Sequence, residues 1–215
     1  MTANVFEQSL RQGVAALGLT LSDTQITQLL GYHTLSHKWN KVYNLTAIRE
    51  PAEMLTHHLL DSLAILAPLM RQTSSASVNM LDVGAGAGLP GVVVEICCPQ
   101  ASVTCVDAVA KKMAFVQQVA TELKLPNLKA LHARVETLTQ KYDLITSRAF
   151  ATLLDFVTGS RAALKAETGI WLAMKAKNTS AEVAELPADV TVFHVEQLTV
   201  PGLDAERCIV WMKFQ

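Results

Sequence analysis

Hydrophobic positions recur along this chain with two different periods, and the change between them divides it. Up to about residue 75 the spacing is helical. Ser22 and Gln25, three positions apart, form a capping-box pair, and Ile26, Leu29, Leu30 and His33 follow at intervals of three and four. Pro51 suits a first helical position. From there Met54, Leu55, Leu59, Leu63 and Leu66 predict an apolar helix face running to about residue 68. Residues 43–46 make a short polar connection, and residues 72–77 have the composition of a linker.

Past the linker the apolar positions fall in short runs. Residues 78–83, 103–106, 142–146 and 170–174 predict strands, and residues 128–132 a weaker one. Between them lie helical stretches such as residues 111–123, where Met113, Val116, Val119, Ala120 and Leu123 recur every three or four positions. Alternating strand and helix predicts an α/β fold, a parallel sheet with helices on both faces. Residues 190–195 and 209–214 are two final strand-like runs with no helix-length pattern between them. They predict an antiparallel pair at the sheet edge. The expected organisation is a helical extension over residues 1–75 and an α/β domain over residues 76–215.

Composition narrows the class. The 215 residues are 50% hydrophobic and 17% charged, with a formal net charge of -1. That excludes a disordered tail and a basic nucleic-acid coat, so any RNA must be held by a local patch. The longest uncharged run, residues 24–37, is interrupted by Gln, Thr and His, whereas a spanning helix needs roughly 20 apolar residues. No membrane segment and no signal peptide are expected. Cys97, Cys98, Cys105 and Cys208 lack zinc-ribbon spacing and suit free thiols in a reducing cytoplasm.

The most informative segment is Leu81-Asp82-Val83-Gly84-Ala85-Gly86-Ala87-Gly88-Leu89-Pro90-Gly91. Glycines directly after a buried strand permit a tight turn and let a ligand approach the backbone. From Gly86 the spacing is the dinucleotide fingerprint, with Asp107 about 20 residues on as the ribose acid. From Asp82 it is Asp-x-Gly-x-Gly-x-Gly, which resembles the S-adenosylmethionine loop of Rossmann-like methyltransferases. Two details favour the second: the turn begins one glycine early for a dehydrogenase, and Pro90 stands where a dinucleotide helix should start packing. Asp107 can accept both ribose hydroxyls or serve as a helix N-cap. Arg134-Val135-Glu136 follows the weak strand, where a loop could pass an adenine ring.

Nearly the whole chain resembles the bacterial small-subunit ribosomal RNA methyltransferase family RsmG, also called glucose-inhibited division protein B. The resemblance is carried by His37-Lys38-Trp39-Asn40-Lys41, Tyr43-Asn44-Leu45-Thr46, His58-Leu59-Leu60-Asp61-Ser62, residues 82–91, Asp107 with Lys111, Lys112 and Phe115, Ser147-Arg148-Ala149-Phe150, and Leu203-Asp204 with Glu206-Arg207. It implies a class I S-adenosylmethionine-dependent sheet that methylates N7 of one guanine in 16S rRNA on the 30S subunit, acting as a cytoplasmic monomer without a metal. It implies cofactor contacts at Gly84, Gly86, Gly88, Leu89, Asp107, Val135, Glu136 and Arg148, and RNA contacts at Asn44, Lys111, Lys112, Lys175 and Arg207. Ala176 and Cys208 depart from the family's usual residues.

The residue chemistry agrees with that expectation. Guanine N7 carries an unprotonated lone pair, so attack on a sulfonium methyl needs no general base. No catalytic residue is required, and Arg148 and His58 are candidates for positioning only. The chain has no Asn-Pro-Pro-Tyr element after residues 142–146 and no Cys there for attack on a pyrimidine. Phe150 could stack a base or fill the core. His58, Asp61 and Ser62 lie too close on one helix for a hydrolase relay and instead suggest a polar cluster at the cleft mouth. His33 and His37 lack a third metal ligand, and Trp39 is expected to pack. Residues 107–148 hold seven Lys and Arg against four Asp and Glu. That weak patch predicts a shallow salt dependence of RNA binding.

Overall fold

Local signals and burial together set the N-terminal helices. A computed structural model describes residues 3–73, 77–150, 152–176 and 179–215. Helix α1 spans Ala3–Ala16 and α2 spans Asp23–Tyr43. The capping box at the start of α2 is formed: Ser22 Oγ accepts from Gln25 N–H, and Gln25 Oε1 accepts from Ser22 N–H. The same Gln25 amide donates to the carbonyls of Ile96 and Cys97, joining α2 to the sheet domain.

One helix predicted from Pro51 to about residue 68 is instead four segments. Helix α3 (Pro51–Met54) runs into a π-helical turn (Leu55–Leu60), then α4 (Asp61–Leu63), and α5 restarts at Leu66 and ends at Thr73. The break has a physical cause in Pro68. Proline lacks an N–H and is tolerated only in a first turn, and the restart at Leu66 places it there. Gln72 and Thr73 therefore end a helix, while residues 74–76 of the expected linker lie outside the described residues.

The apolar runs then build the sheet. Strands β1 (Asn79–Val83), β2 (Ser102–Asp107), β3 (Leu128–His132), β4 (Leu144–Arg148) and β5 (Ile170–Lys175) pair with one another in parallel. The expected edge pair is present as β6 (Val190–Leu198) and β7 (Arg207–Phe214), with β7 antiparallel to β5. The order is β3-β2-β1-β4-β5-β7-β6. Pairing of β4 begins at Leu144, two residues later than expected, because Tyr142 bridges to Leu164 instead.

Successive strand residues face opposite sides. Met80, Leu144 and Leu172 belong to one apolar cluster, and Leu81, Ile145 and Trp171 to the other. The first is covered by α6 (Gly91–Cys97) and α7 (Ala110–Glu122) together with the N-terminal helices, whose Leu10, Ile26 and Leu29 join the same cluster. The second is covered by α8 (Leu153–Ser160), with α9 (Ser180–Ala184) beside it. Strand order reverses between β1 and β4. Such a switch point leaves a crevice beyond the carboxyl ends of the strands.

Candidate functional site

The crevice is a cavity of about 470 Å³, within the range of small-molecule sites. Its floor is the glycine loop, Gly84 to Ala87 with Leu89. Arg148 and Ala149 enter from the end of β4, and Met174, Lys175 and Ala176 from the end of β5. The π-helical turn contributes His57 and His58, α4 contributes Asp61, and the loop after α2 contributes Leu45, Thr46 and Ile48. Lys112 and Arg207 complete the wall.

The four glycines of the loop divide into two kinds. Gly84 and Gly86 hold φ of +64° and +60°, and a methyl group on either would meet nothing closer than 3.6 Å. Their missing side chains leave space that belongs to the cavity. Gly88 and Gly91 face the protein. A Cβ on Gly88 would stand 2.6 Å from Val92 Cγ2, and one on Gly91 would stand 2.6 Å from Cys105 Sγ. These two let helix α6 pack closely on its strand. The Tyr32 hydroxyl donates to the Ala87 carbonyl at 2.8 Å, so α2 also anchors the loop.

Two acids support the loop from beneath. Asp107 accepts from Gly86 N–H at 3.0 Å and from Val109 N–H at 2.8 Å, with Lys112 Nζ at 3.5 Å. A carboxylate offers about four acceptor directions, so it can still receive ribose hydroxyls. It is not the N-cap of α7, as one sequence reading had it: that position is Val109, without a side-chain cap, and Asp107 instead holds the Val109 N–H in the turn before the helix. Asp82 is fully buried, accepts from Gly91 N–H at 2.8 Å, and leaves its second oxygen without a partner among the described residues. Burial raises its pKa to about 7 against the lowering effect of that N–H.

Asp61 organises the opposite wall. One carboxylate oxygen accepts from Arg148 Nη1 at 3.2 Å and the other from Arg207 Nε at 2.9 Å. Arg148 also donates to the His57 carbonyl, a group presented by the π-helical turn. Such turns recur at functional sites because the widened backbone redirects neighbouring side chains. Next to it, His58 Nε2 lies 2.9 Å from Thr46 Oγ1, which itself accepts from Ile48 N–H. Asn40 donates to the Ile48 carbonyl and accepts from Thr46 N–H, folding the 44–50 loop against the cavity.

His58 therefore works as a neutral ring. Burial, assisted by the Arg148 charge, lowers its pKa from 6.5 to about 4. Between those values the unfolded chain binds a proton that the folded chain refuses, so His58 makes the fold more stable as pH rises from about 4 to 6.5. Asp82 acts in the opposite sense, holding a proton in the folded state from its ordinary range up to about 7. An NMR titration should show His58 ring resonances unchanged from pH 8 to pH 5. A midpoint near 6 would contradict this geometry.

The cavity thus brings together Gly84, Gly86, Leu89, Arg148, His58, Lys112, Lys175 and Arg207 of the sequence candidates. Asp107 reaches the loop from below. Val135 is buried in a 3₁₀ turn (Val135–Thr137) and Glu136 is exposed beside it, and neither lines the cavity. Gly88 packs the loop, Asn44 is exposed as the left-handed C-cap of α2, and Lys111 is exposed on α7. Lys175 is held by Glu182 at 2.8 Å. Of the polar cluster expected at the cleft mouth, His58 and Asp61 are there, whereas Ser62 is fully buried and does not line the cavity. Trp39 packs between Tyr43 and Phe115. Asn40, Thr46 and Tyr32 carry site contacts that the sequence did not single out; the first two lie inside quoted motifs, and no residue pattern marks the third.

Comparison with known proteins gives the family. The model of GidB, rRNA small subunit methyltransferase G, matches residues 25–210. Ribosomal RNA small subunit methyltransferase G of Albidiferax ferrireducens is 63% identical, covering 96% of each chain, and that of Acidovorax sp. strain JS42 is 61% identical, covering 97% of this chain and 95% of its own. Among solved structures, magnesium protoporphyrin IX methyltransferase of Synechocystis PCC 6803 with bound SAH is similar at a TM-score of 0.61 and 13% identity, over 90% of this chain and 100% of that one. The likeness to the solved structure is one of fold, a Rossmann-like class I methyltransferase sheet. The family match covers most of the chain, and the protein belongs to the rRNA small subunit methyltransferase G family.

Proposed function

We propose that this chain transfers the methyl group of S-adenosylmethionine to N7 of a guanine in 16S rRNA, with the 30S subunit as the partner that presents it. The observation that carries the reading is a cavity at the sheet's switch point with an open glycine floor on one side and paired guanidinium groups on the other. The cofactor fits the residues present. Gly84 and Gly86 leave Cβ-sized space, and Asp107 is fixed to the loop with acceptor capacity to spare. When bound, S-adenosylmethionine supplies an electrophilic methyl group on sulfur.

The protein's part is placement and charge. N7 needs no base, so His58 held neutral has no proton to remove and instead fixes the Thr46 loop along the cavity. In-line positioning is the main source of acceleration for such a transfer. The purine becomes positive as N7 is methylated. Asp61 compensates Arg148 and Arg207, so that developing charge does not meet two bare cations. Lys112 and Lys175, each paired with one acid, keep further donors that can address phosphate.

The test is transfer of labelled methyl from S-adenosylmethionine to 30S subunits lacking the modification, followed by mapping of the methylated base. Label at guanine N7 of 16S rRNA is the expected result. Absence of label there, with S-adenosylhomocysteine still bound, would reject the substrate and keep the cofactor site.

A further inference from the structure

The end of α2 presents a surface that the cavity does not use. Lys41, Val42 and Tyr43 are consecutive and exposed, Val42 at 68% and Tyr43 at 42%, and Val42 is the most exposed large hydrophobic residue among those described. An apolar side chain at that exposure gains nothing for the fold. The Tyr43 ring rests on Trp39 at 4.9 Å, and Trp39 rests on Phe115 of α7 at 5.4 Å, so Tyr43 is held from behind while one side faces solvent. Two residues further, Leu45 lines the cavity.

The charge around it is cationic. Between residues 24 and 52 the chain has Lys38, Lys41 and Arg49 against the single acid Glu50, in a protein whose total is -1. Lys111 stands one turn ahead of Phe115 on α7, the helix whose Phe115 ring supports Trp39. Lys41, Arg49 and Lys111 are exposed, and none forms an ion pair among the described residues, in contrast to Arg148, Lys175 and Arg207 in the cavity. An aromatic face backed by rings and flanked by unpaired cations is the arrangement that holds single-stranded nucleic acid. The ring stacks a base and the cations follow the phosphates.

We propose that this surface is a second RNA contact, in which Tyr43 stacks an unpaired base beside the methylated guanine and Lys41, Arg49 and Lys111 bind the flanking phosphates. It rests on the RNA substrate proposed above and adds a site outside the cavity. Placing a stacked nucleotide at the cavity rim would present its neighbour to the cofactor from one direction, which makes the surface a determinant of which guanine is methylated.

The experiment measures methyl transfer to unmodified 30S subunits, direct binding of 16S rRNA at several salt concentrations, and S-adenosylhomocysteine affinity. The triple variant Lys41→Ala, Arg49→Ala, Lys111→Ala should raise the KM for subunits about tenfold or more. Its salt slope should become shallower by about two, at roughly 0.7 for each single-strand phosphate that the variant no longer neutralises. Tyr43→Ser should also raise KM, and Tyr43→Phe should restore it, because stacking needs the ring and not the hydroxyl. Cofactor affinity should be unchanged in all of them. Unchanged KM and salt slope in the triple variant, with the parent chain active, would overturn the surface. So would Tyr43→Phe failing as badly as Tyr43→Ser, or a loss seen equally in S-adenosylhomocysteine binding. A parent chain that transfers no methyl to subunits would instead count against the substrate, and the rRNA binding measurement would still decide this surface by itself.

Discussion

Gly84→Asp will weaken S-adenosylhomocysteine binding by at least ~100-fold, about 2.7 kcal/mol, while the chain still unfolds in one cooperative transition. The expectation follows from where the new side chain goes. Gly84 has φ of +64°, a region that costs most L-residues roughly 1–2 kcal/mol and that Asp tolerates better than most. Its Cβ would touch only the Phe150 ring, at 3.6 and 3.8 Å, which is ordinary contact. The carboxylate must then occupy the cavity, against whatever accepts hydrogen bonds from the loop. Gly88→Ala is the informative counterpart. It adds a methyl group 2.6 Å from Val92 Cγ2 and 3.0 Å from Val116 Cγ2 at φ of +85°, so its damage falls on stability first. Calorimetric titration and thermal melts on the two variants separate the roles. Unchanged affinity in Gly84→Asp would remove that glycine from the site, and loss of its cooperative melt would make the effect one of folding.

The sequence showed the loop but could not sort its glycines. Spacing says that four positions lack side chains; only the path of α6 says that two of them face Val92 and Cys105 while two face open space. The strands were legible for a different reason. The central ones are buried on both faces, so β1 and β2 read as near-continuous apolar runs, whereas β3, largely exposed, gave the weaker signal. The helix after Pro51 was harder, because periodicity reports which residues are buried and not how the backbone turns between them. A π-helical turn keeps Leu59 and Leu60 both inside and shifts everything after it, a change that leaves no mark in composition. Asn44 and Glu136 illustrate the remaining gap: motif membership names residues without saying where the chain carries them, and both stand exposed outside the cavity lining. Asp61 was visible as a neighbour of His58, but its partners lie 87 and 146 residues away. No local pattern connects positions so distant.

Those partners make Asp61→Ala the other change with a large expected effect. Asp61 is nearly buried, and the two arginines are each 20% exposed. Removing the carboxylate leaves two guanidinium groups facing each other with no anion between them. Breaking a fully buried pair from one side costs about 3–5 kcal/mol, and the partial exposure here lowers the expectation to about 2 kcal/mol. Methyl transfer should fall further than stability, by ~100-fold in kcat, because the uncompensated cations then oppose the charge forming on the purine and Arg148 loses one of its two fixed acceptors. Asp61→Asn keeps the shape and one acceptor but not the charge, and should lie between. The decisive measurement is a double-mutant cycle with Arg207→Ala, read by urea unfolding and by single-turnover transfer. If the three side chains act as one unit, removing Arg207 from the Asp61→Ala protein recovers part of the lost stability, since it removes one orphaned cation. Strict additivity in both readouts would mean that Asp61 and Arg207 are not energetically coupled. The chemistry of the wall would then rest on Arg148 alone, whose second acceptor, the His57 carbonyl, is unaffected by the substitution.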